Sequence, residues 1–435
     1  MIKKLVVVLI VAFASQLQAQ EGTASPYSFY GIGSLKFKGT VENRSMGGLS
    51  IYNDSIHLNL LNPAGYTGNN IKSFNNESRP VKFAIGGSYS SLNLKSDSGS
   101  EKANSTTFDY LALSVPMGKF GFGFGLLPYT SVGYKLESRN DNDDVSNRYR
   151  GEGGVNKAFA GLAYQINEKL SVGVEASYNF GNVKNSSVAY LYDDEGNLVQ
   201  YQSRENNRSD LSGLNFNIGL SYKTMINDKL ELSSGLTYAP GSNLTSNNTR
   251  SFSTIIINEI SGQEFVVNTI DADLEAQNLK TTDLSLPSRV SFGAGIGEPR
   301  KWFLGAEYTY QNTSKFSNPI FSIDNATFVN ASTIALGGFY IPDYNSFSNY
   351  WKRVTYRGGL HYENTGLEIN NETINEFGMS FGVGLPVGGL FSNANLGLEF
   401  GKRGTTNQNL IQENFINLQI SLSLNDRWFQ KRKYN

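Results

Sequence analysis

From about residue 81 onward the chain alternates apolar and polar residues with a period of two. In Phe120-Gly121-Phe122-Gly123-Phe124-Gly125-Leu126 the large residues point one way and the glycines the other. Leu170, Val172, Val174, Ala176 and Tyr178 alternate with Ser171, Gly173, Glu175, Ser177 and Asn179. Near the end, Ile416, Leu418, Ile420, Leu422 and Leu424 alternate with Asn417, Gln419, Ser421 and Ser423. Successive strand residues face opposite sides of a sheet, so this period predicts strands with a different solvent on each face. Fourteen such segments are predicted, near 81–94, 106–116, 120–135, 153–166, 170–190, 211–224, 229–244, 284–297, 301–314, 329–341, 353–364, 373–386, 393–403 and 412–424.

A soluble sandwich would alternate too, but its outer face would be rich in Lys and Glu. Here the polar face is mostly Gly, Ser and Asn, which suits a confined interior. The apolar face carries Phe, Tyr and Leu over about ten residues, the length a tilted strand needs to cross a bilayer. Short turns follow the second, fourth, sixth and eighth segments. Long polar stretches at 136–152, 191–210 and 245–283 follow the third, fifth and seventh. An even strand number with alternating short and long connections predicts an all-β, transmembrane antiparallel barrel of 14 strands over 81–424. The long connection 342–352 interrupts this regularity on the short side.

The N-terminus reads differently. Lys3-Lys4, the apolar run Leu5 to Ala14 and the small Ala19 have the layout of a cleaved secretory signal over 1–19. Residues 20–80 show little period-two pattern, yet hold Gly31, Gly33, Gly47 and Gly48 among aromatic and aliphatic residues. A barrel of this size has an interior that is wet or filled, and a compact segment of this composition is expected inside as a hatch. A tail, 425–435, is basic and aromatic.

Composition removes several chemistries. Without cysteine there is no disulfide framework, thiolate metal site, cysteine nucleophile or lipoprotein anchor. Two histidines argue against a histidine metal centre, so no metal and no cofactor is expected. Basic residues (37) nearly balance acidic ones (38), so nothing points to nucleic acid. The mean hydropathy of -0.32 is compatible with a barrel, because only alternate residues meet lipid.

Ser45-Met46-Gly47-Gly48, an Asp-containing stretch, and then Asn62-Pro63-Ala64-Gly65 resemble the N-terminal hatch of the FadL family of outer-membrane channels for long-chain fatty acids and hydrocarbons. Leu284-Ser285-Leu286-Pro287 is a weaker likeness, and the tail and Asn/Tyr-rich composition resemble the Bacteroidota branch of that family. The resemblance implies a ligand site at the hatch, drawn from Phe29, Tyr30, Met46, Gly47, Gly48, Leu61, Asn62, Pro63 and Ala64. It also implies sideways release into the membrane beside a kinked third strand. Proline breaks a ladder because it has no N–H. Gly125, Leu127, Pro128 and Tyr129 therefore mark either a lateral opening or a bulge near the rim. Gly121, Gly123 and Gly125 would leave room on the inner face for hatch or ligand.

Alternation places Glu175, Glu231, Glu307, Arg357 and Glu399 in the lumen, where carboxylates pair with bases such as Lys223, Arg289 or Arg357. His361 also faces inward, and His57 reads as a polar surface residue of the hatch. No constellation supports catalysis, so an enzyme is not expected. Trp302, Trp351 and Trp428 fall at expected periplasmic ends, as membrane anchors. The expected partners are outer-membrane lipid and a hydrophobic small molecule. Two functions stand: uptake of hydrophobic compounds, or a barrel serving as a partner subunit among other outer-membrane proteins in a secretion or assembly complex.

Overall fold

The computed structural model describes residues 22–54, 56–67, 81–97, 99–140, 142–258, 261–316, 318–320, 325–387 and 392–426. The expected signal 1–19 and the end of the tail, with Trp428, lie outside the described residues.

The first short strand, β1 (Ser34–Leu35), belongs to the N-terminal segment. The wall follows as β2 (Val81–Ser96), β3 (Gly99–Met117), β4 (Phe120–Arg139), β5 (Val145–Gln165), β6 (Leu170–Ala189) and β7 (Gln202–Met225). Next come β8 (Glu231–Ala239), continued by β9 (Ser242–Ile257), the hairpin arm β10 (Glu264–Asp271), and β11 (Thr281–Leu286), continued by β12 (Arg289–Glu298). The remainder is β13 (Trp302–Gln311), the three-residue β14 (Ala326–Phe328), β15 (Ala331–Tyr340), β16 (Thr355–Ile369), β17 (Glu372–Val387), β18 (Ser392–Arg403) and β19 (Gln412–Asp426). β19 pairs with β2 from Gln412↔Lys95 to Asp426↔Val81 and closes the ring. With β8/β9 and β11/β12 each taken as one wall strand, the barrel has the 14 antiparallel strands that the alternation predicts.

Alternation sets the two faces. Val174, Tyr178, Leu214, Phe216, Leu236, Phe292, Leu304, Leu336, Phe381, Leu398 and Leu418 point outward and are exposed, forming an apolar outer belt of the kind that meets lipid in a transmembrane barrel. Ser177, Asn179, Asn217, Ser221, Ser380, Asn395 and Ser421 point inward and are buried. The described residues among 22–67 pack against inward-facing wall residues, so the buried apolar clusters lie between this segment and the inner face of the barrel. Among the described residues no helix is long and apolar enough to cross a membrane.

Three sequence expectations need correction. The polar stretches at 136–152 and 245–283 are largely strand, and 191–210 becomes strand from Gln202 onward: the β4–β5 ladder runs on to Arg139↔Val145 and the β6–β7 ladder to Ala189↔Ser203. Crossing takes about 10 residues, whereas β7 has 24, so the surplus stands outside the bilayer. There the outward positions of β7 change from Ile218, Phe216 and Leu214 to Asp210, Arg208 and Asn206. Polarity marked the water line, not the end of the strand. Second, the seventh and eighth wall strands each break, beside Pro240 and Pro287, where no N–H is available for the ladder. Third, Asn425 and Asp426 continue the wall and are not tail. The connection 341–354 is long, and its Ile341 and Tyr344 pack beneath the hatch on Phe303 and Phe339.

Candidate functional site

The hatch is built from turns because its sequence lacks a repeating period. Thr40 caps the short helix Val41–Arg44 through a reciprocal box with Asn43, and the Asn43 amide donates to the Leu49 carbonyl (2.7 Å). Asn62 caps a single turn, Pro63–Tyr66. Both turns seat on glycines in the wall. A Cβ at Gly337 or Gly359 would strike the backbone of Met46-Gly47, and one at Gly173 would strike Pro63-Ala64. Gly123 and Gly161 face the Tyr66 ring, while Gly382 and Gly397 face Ser45. These are cross-strand neighbours: Gly337↔Gly359, Gly123↔Gly161 and Gly382↔Gly397. Gly121 and Gly123 thus make room for the hatch. Gly125 does not, because its inner side meets Leu111 and Ala112 of the wall.

Polar contacts hold the hatch on every side. The Tyr66 hydroxyl donates to Glu175 (2.7 Å), which also receives Lys157 (2.8 Å). Ser50 donates its backbone N–H to Glu307 (2.7 Å), and the Asn62 amide donates to the Leu220 carbonyl (2.9 Å). Arg44 pairs with Glu399 (2.7 Å) and lies 3.6 Å from Asp109. Lys38 bridges Glu376 (2.6 Å) and Glu363 (3.1 Å). Burial alone would lower the Lys38 ammonium, but the two carboxylates outweigh it and hold its pKa above the ordinary value. Lower down, the Asp54 carboxylate meets His57 Nδ1 at 2.6 Å, and Lys82 donates to the carbonyls of Asp54 (2.7 Å) and His57 (2.9 Å). Burial opposes ionisation of Asp54, yet His57 and Lys82 prevail and hold its carboxyl well below the usual range. His57 is therefore enclosed between hatch and wall and not a surface residue; its side chain is only 10% exposed.

The wall parts where Pro128 stands. β3 and β4 pair only between Met117↔Phe120 and Leu111↔Leu126, so Gly125 is still in the ladder and Leu127, Pro128 and Tyr129 are beyond it. On its other edge β4 keeps β5, with a register shift between Pro128 and Thr130. β1 takes the freed edge, pairing Leu35↔Thr130 and Ser34↔Ser131, and the Tyr129 carbonyl accepts from the Lys36 N–H (2.9 Å). Beneath the gap lies an apolar cluster of Phe37, Leu58, Leu60, Tyr110 and Leu127, with Leu61 against it.

The other sequence candidates are scattered. Phe29 packs on Tyr134 and Tyr149 at the outer end, and Tyr30 borders Tyr27 and Leu367. Leu61 lines a separate cavity of about 130 Å³ with Lys38, Arg44, Arg289, Glu307 and Glu399. The structure does not bring Phe29, Tyr30 and Leu61 into one apolar pocket. The cavity is also small beside the roughly 300–1,000 Å³ of most ligand sites. Glu231 pairs with Lys223 (2.9 Å); Arg357 donates to Asn395 (3.2 Å); buried His361 meets Glu376 (3.2 Å). Trp302 begins β13, and Trp351 stands exposed in the connection 341–354. Sequence reasoning missed Lys38, Glu42, Arg44 and β1, since single charges in an aperiodic segment carry no spacing signal. The inward glycines are visible in the alternation, but their pairing across strands depends on register, which alternation leaves open.

The family model described as BamG matches residues 1–435. No curated protein matches the chain. Among solved structures, the chain is similar to a Pseudomonas aeruginosa FadL homologue (14% identity, 90% of this chain and 99% of that one, TM-score 0.57). It is likewise similar to the Pseudomonas putida toluene transporter TodX (18%, 90% and 99%, 0.55) and the Ralstonia pickettii toluene transporter TbuX (16%, 90% and 98%, 0.55). At these identities the likeness is one of fold.

Proposed function

The chain belongs to the BamG family, and on that premise we propose that it works as a plugged FadL-like barrel, a partner subunit of an outer-membrane assembly or secretion complex. The observation that carries this reading is the seating of the hatch. Arg44, Lys38, Ser50, Tyr66 and Asn62 fasten it to wall residues spread around the ring, and the cavity beside Lys38 and Arg44 is small and lined by charged groups. Charged groups around a cavity disfavour an apolar guest, because the guest would displace the water that completes their solvation and offer no hydrogen bond in its place.

A second reading, uptake of a hydrophobic compound, is favoured by the parted β3–β4 ladder. Pro128 frees that edge, and the apolar cluster of Phe37, Leu60 and Leu127 lies directly beneath it. In this reading the compound would leave sideways past Gly125, Leu127, Pro128 and Tyr129.

Native purification in mild detergent, with mass spectrometry of both proteins and extracted lipids, separates the two. The subunit reading expects a stoichiometric complex and an empty lumen. A lone barrel carrying a fatty acid or hydrocarbon, lost on Pro128→Ala, would replace it with uptake.

A further inference from the structure

We propose that β10 is an open docking edge outside the membrane, to which a partner protein adds an extended strand. The proposal rests on the subunit reading and names the surface through which it operates. β10 pairs with β9 along one edge, from Glu264↔Ile257 to Asp271↔Ser251, and among the described residues no strand pairs with the other. Every residue from Phe265 to Asp271 is exposed, on both faces. Phe265, Val266, Val267 and Ile270 make this an apolar strand, with Ile270 65% exposed.

Free edges are usually protected by lysine, proline or a covering element, because their unpaired N–H and C=O groups template another strand. Phe265-Val266-Val267-Asn268-Thr269-Ile270 carries no Lys and no Pro, and its composition favours β pairing. Lipid does not cover it. Thr245, Asn247 and Thr249 occupy the exposed positions of β9 below, and β7 beside β9 is polar at the same level. Nor is the arm loose: Glu264 receives Arg204 (2.9 Å), with Arg150 and Arg148 at 3.7 and 3.9 Å.

The edge itself specifies the occupant. Unpaired backbone donors and acceptors require an extended chain, which gains main-chain hydrogen bonds and sets alternate side chains on the apolar faces. At the membrane-proximal end Asp271 and Asp273 are exposed, while Glu275 is answered by Lys280 (3.3 Å). The complementary segment is therefore an apolar strand with a basic residue at its membrane-proximal end.

The test uses the full-length chain purified in its native complex. Hydrogen exchange of amides 264–271 is compared between the complex and the barrel after dissociation. The proposal expects at least tenfold slower exchange at about half of these amides in the complex, and at least tenfold less bound partner for F265K/I270K. The variant barrel should keep its yield and its heat-modifiable migration. If it is not made, the exchange comparison on the unaltered chain still decides. Because the chain has no cysteine, Val267→Cys supplies a single thiol. It should react with a maleimide in the isolated barrel and be shielded in the complex. Equal exchange and equal labelling in a stoichiometric complex would overturn the docking edge while leaving the subunit reading intact. Cross-linking of Val267→Cys to a second copy would assign the edge to self-association and overturn it too. A barrel that purifies alone overturns both.

Discussion

The two sides of the hatch are held by different physics. Toward β3, β4 and β5 it is mainly apolar: Phe37, Leu58, Leu60 and the Tyr66 ring pack on Tyr110, Leu127 and Phe159. Toward β16 to β19 it is ionic, with Lys38, Glu42 and Arg44 set against Glu376, Asn395 and Glu399. Dispersion contacts are individually tiny and non-directional, so an apolar surface that slides along another exchanges them a few at a time. A buried ion pair depends on its partner, and removing one member leaves an uncompensated charge. The apolar side can therefore yield by degrees, whereas the ionic side behaves as a catch. It is the apolar side that faces the parted ladder.

The largest expected effect comes from the ionic side. Arg44→Ala leaves Glu399 and Asp109 facing an empty position, at a cost of about 3–5 kcal/mol. Proteolysis of residues 36–60 should rise sharply while the barrel persists; unchanged resistance would deny Arg44 its role as a catch. On the apolar side Tyr66→Ala should cost about 3 kcal/mol through the cavity left at Gly123 and Gly161. Tyr66→Phe should cost only about 1 kcal/mol, since Glu175 keeps Lys157. Hydrogen exchange in 62–67 distinguishes these, and equal losses for both variants would make the hydroxyl, not the ring, the dominant contact.

Gly359→Ala places a Cβ against the backbone of Gly47, an overpacking of about 1–3 kcal/mol. Faster exchange at 45–49 is the readout. The smallest effect is that of pH. Asp54 is held below its ordinary pKa, so its contribution is complete above the unfolded value of about 3.9 and fades as pH falls through the folded value. Hatch opening in 52–58 should become progressively easier as pH falls below about 4, and Asp54→Asn should remove that part of the slope.

The barrel was legible because two-faced strands leave a period that survives averaging: the alternation through Phe120–Leu126 and Ile416–Leu424 places wall strands without further information. Strand height was not legible, because the outward Asp210, Arg208 and Asn206 are as polar as the inward Ser209 and Asn207 between them, and the contrast vanishes. The hatch could be recognised as an inserted segment by its Gly and Leu content. Its fastenings could not, since Arg44 and Glu399 are separated by hundreds of residues and neither sits in a motif. Pro128 was conspicuous, but the replacement of β3 by β1 at the freed edge depends on register, which alternation alone does not fix.

The placement of the lower hatch bears on how the ring is completed. Glu42 accepts from Asn395 (2.6 Å) of β18 and from Ser421 (3.3 Å) and Ser423 (3.2 Å) of β19. The Ile56 carbonyl accepts from Asn425 (2.9 Å), also of β19. Lys82 of β2 reaches the same segment from the other side of the seam. Joining strands that lie about 340 residues apart carries a chain entropy cost on the order of 5 kcal/mol, before any constant term. A segment that binds the first strand locally and then offers the last strand a second set of partners lowers the cost of that meeting. The hatch thus bridges the seam from within, and a barrel that lost it would also lose part of what fastens its two ends.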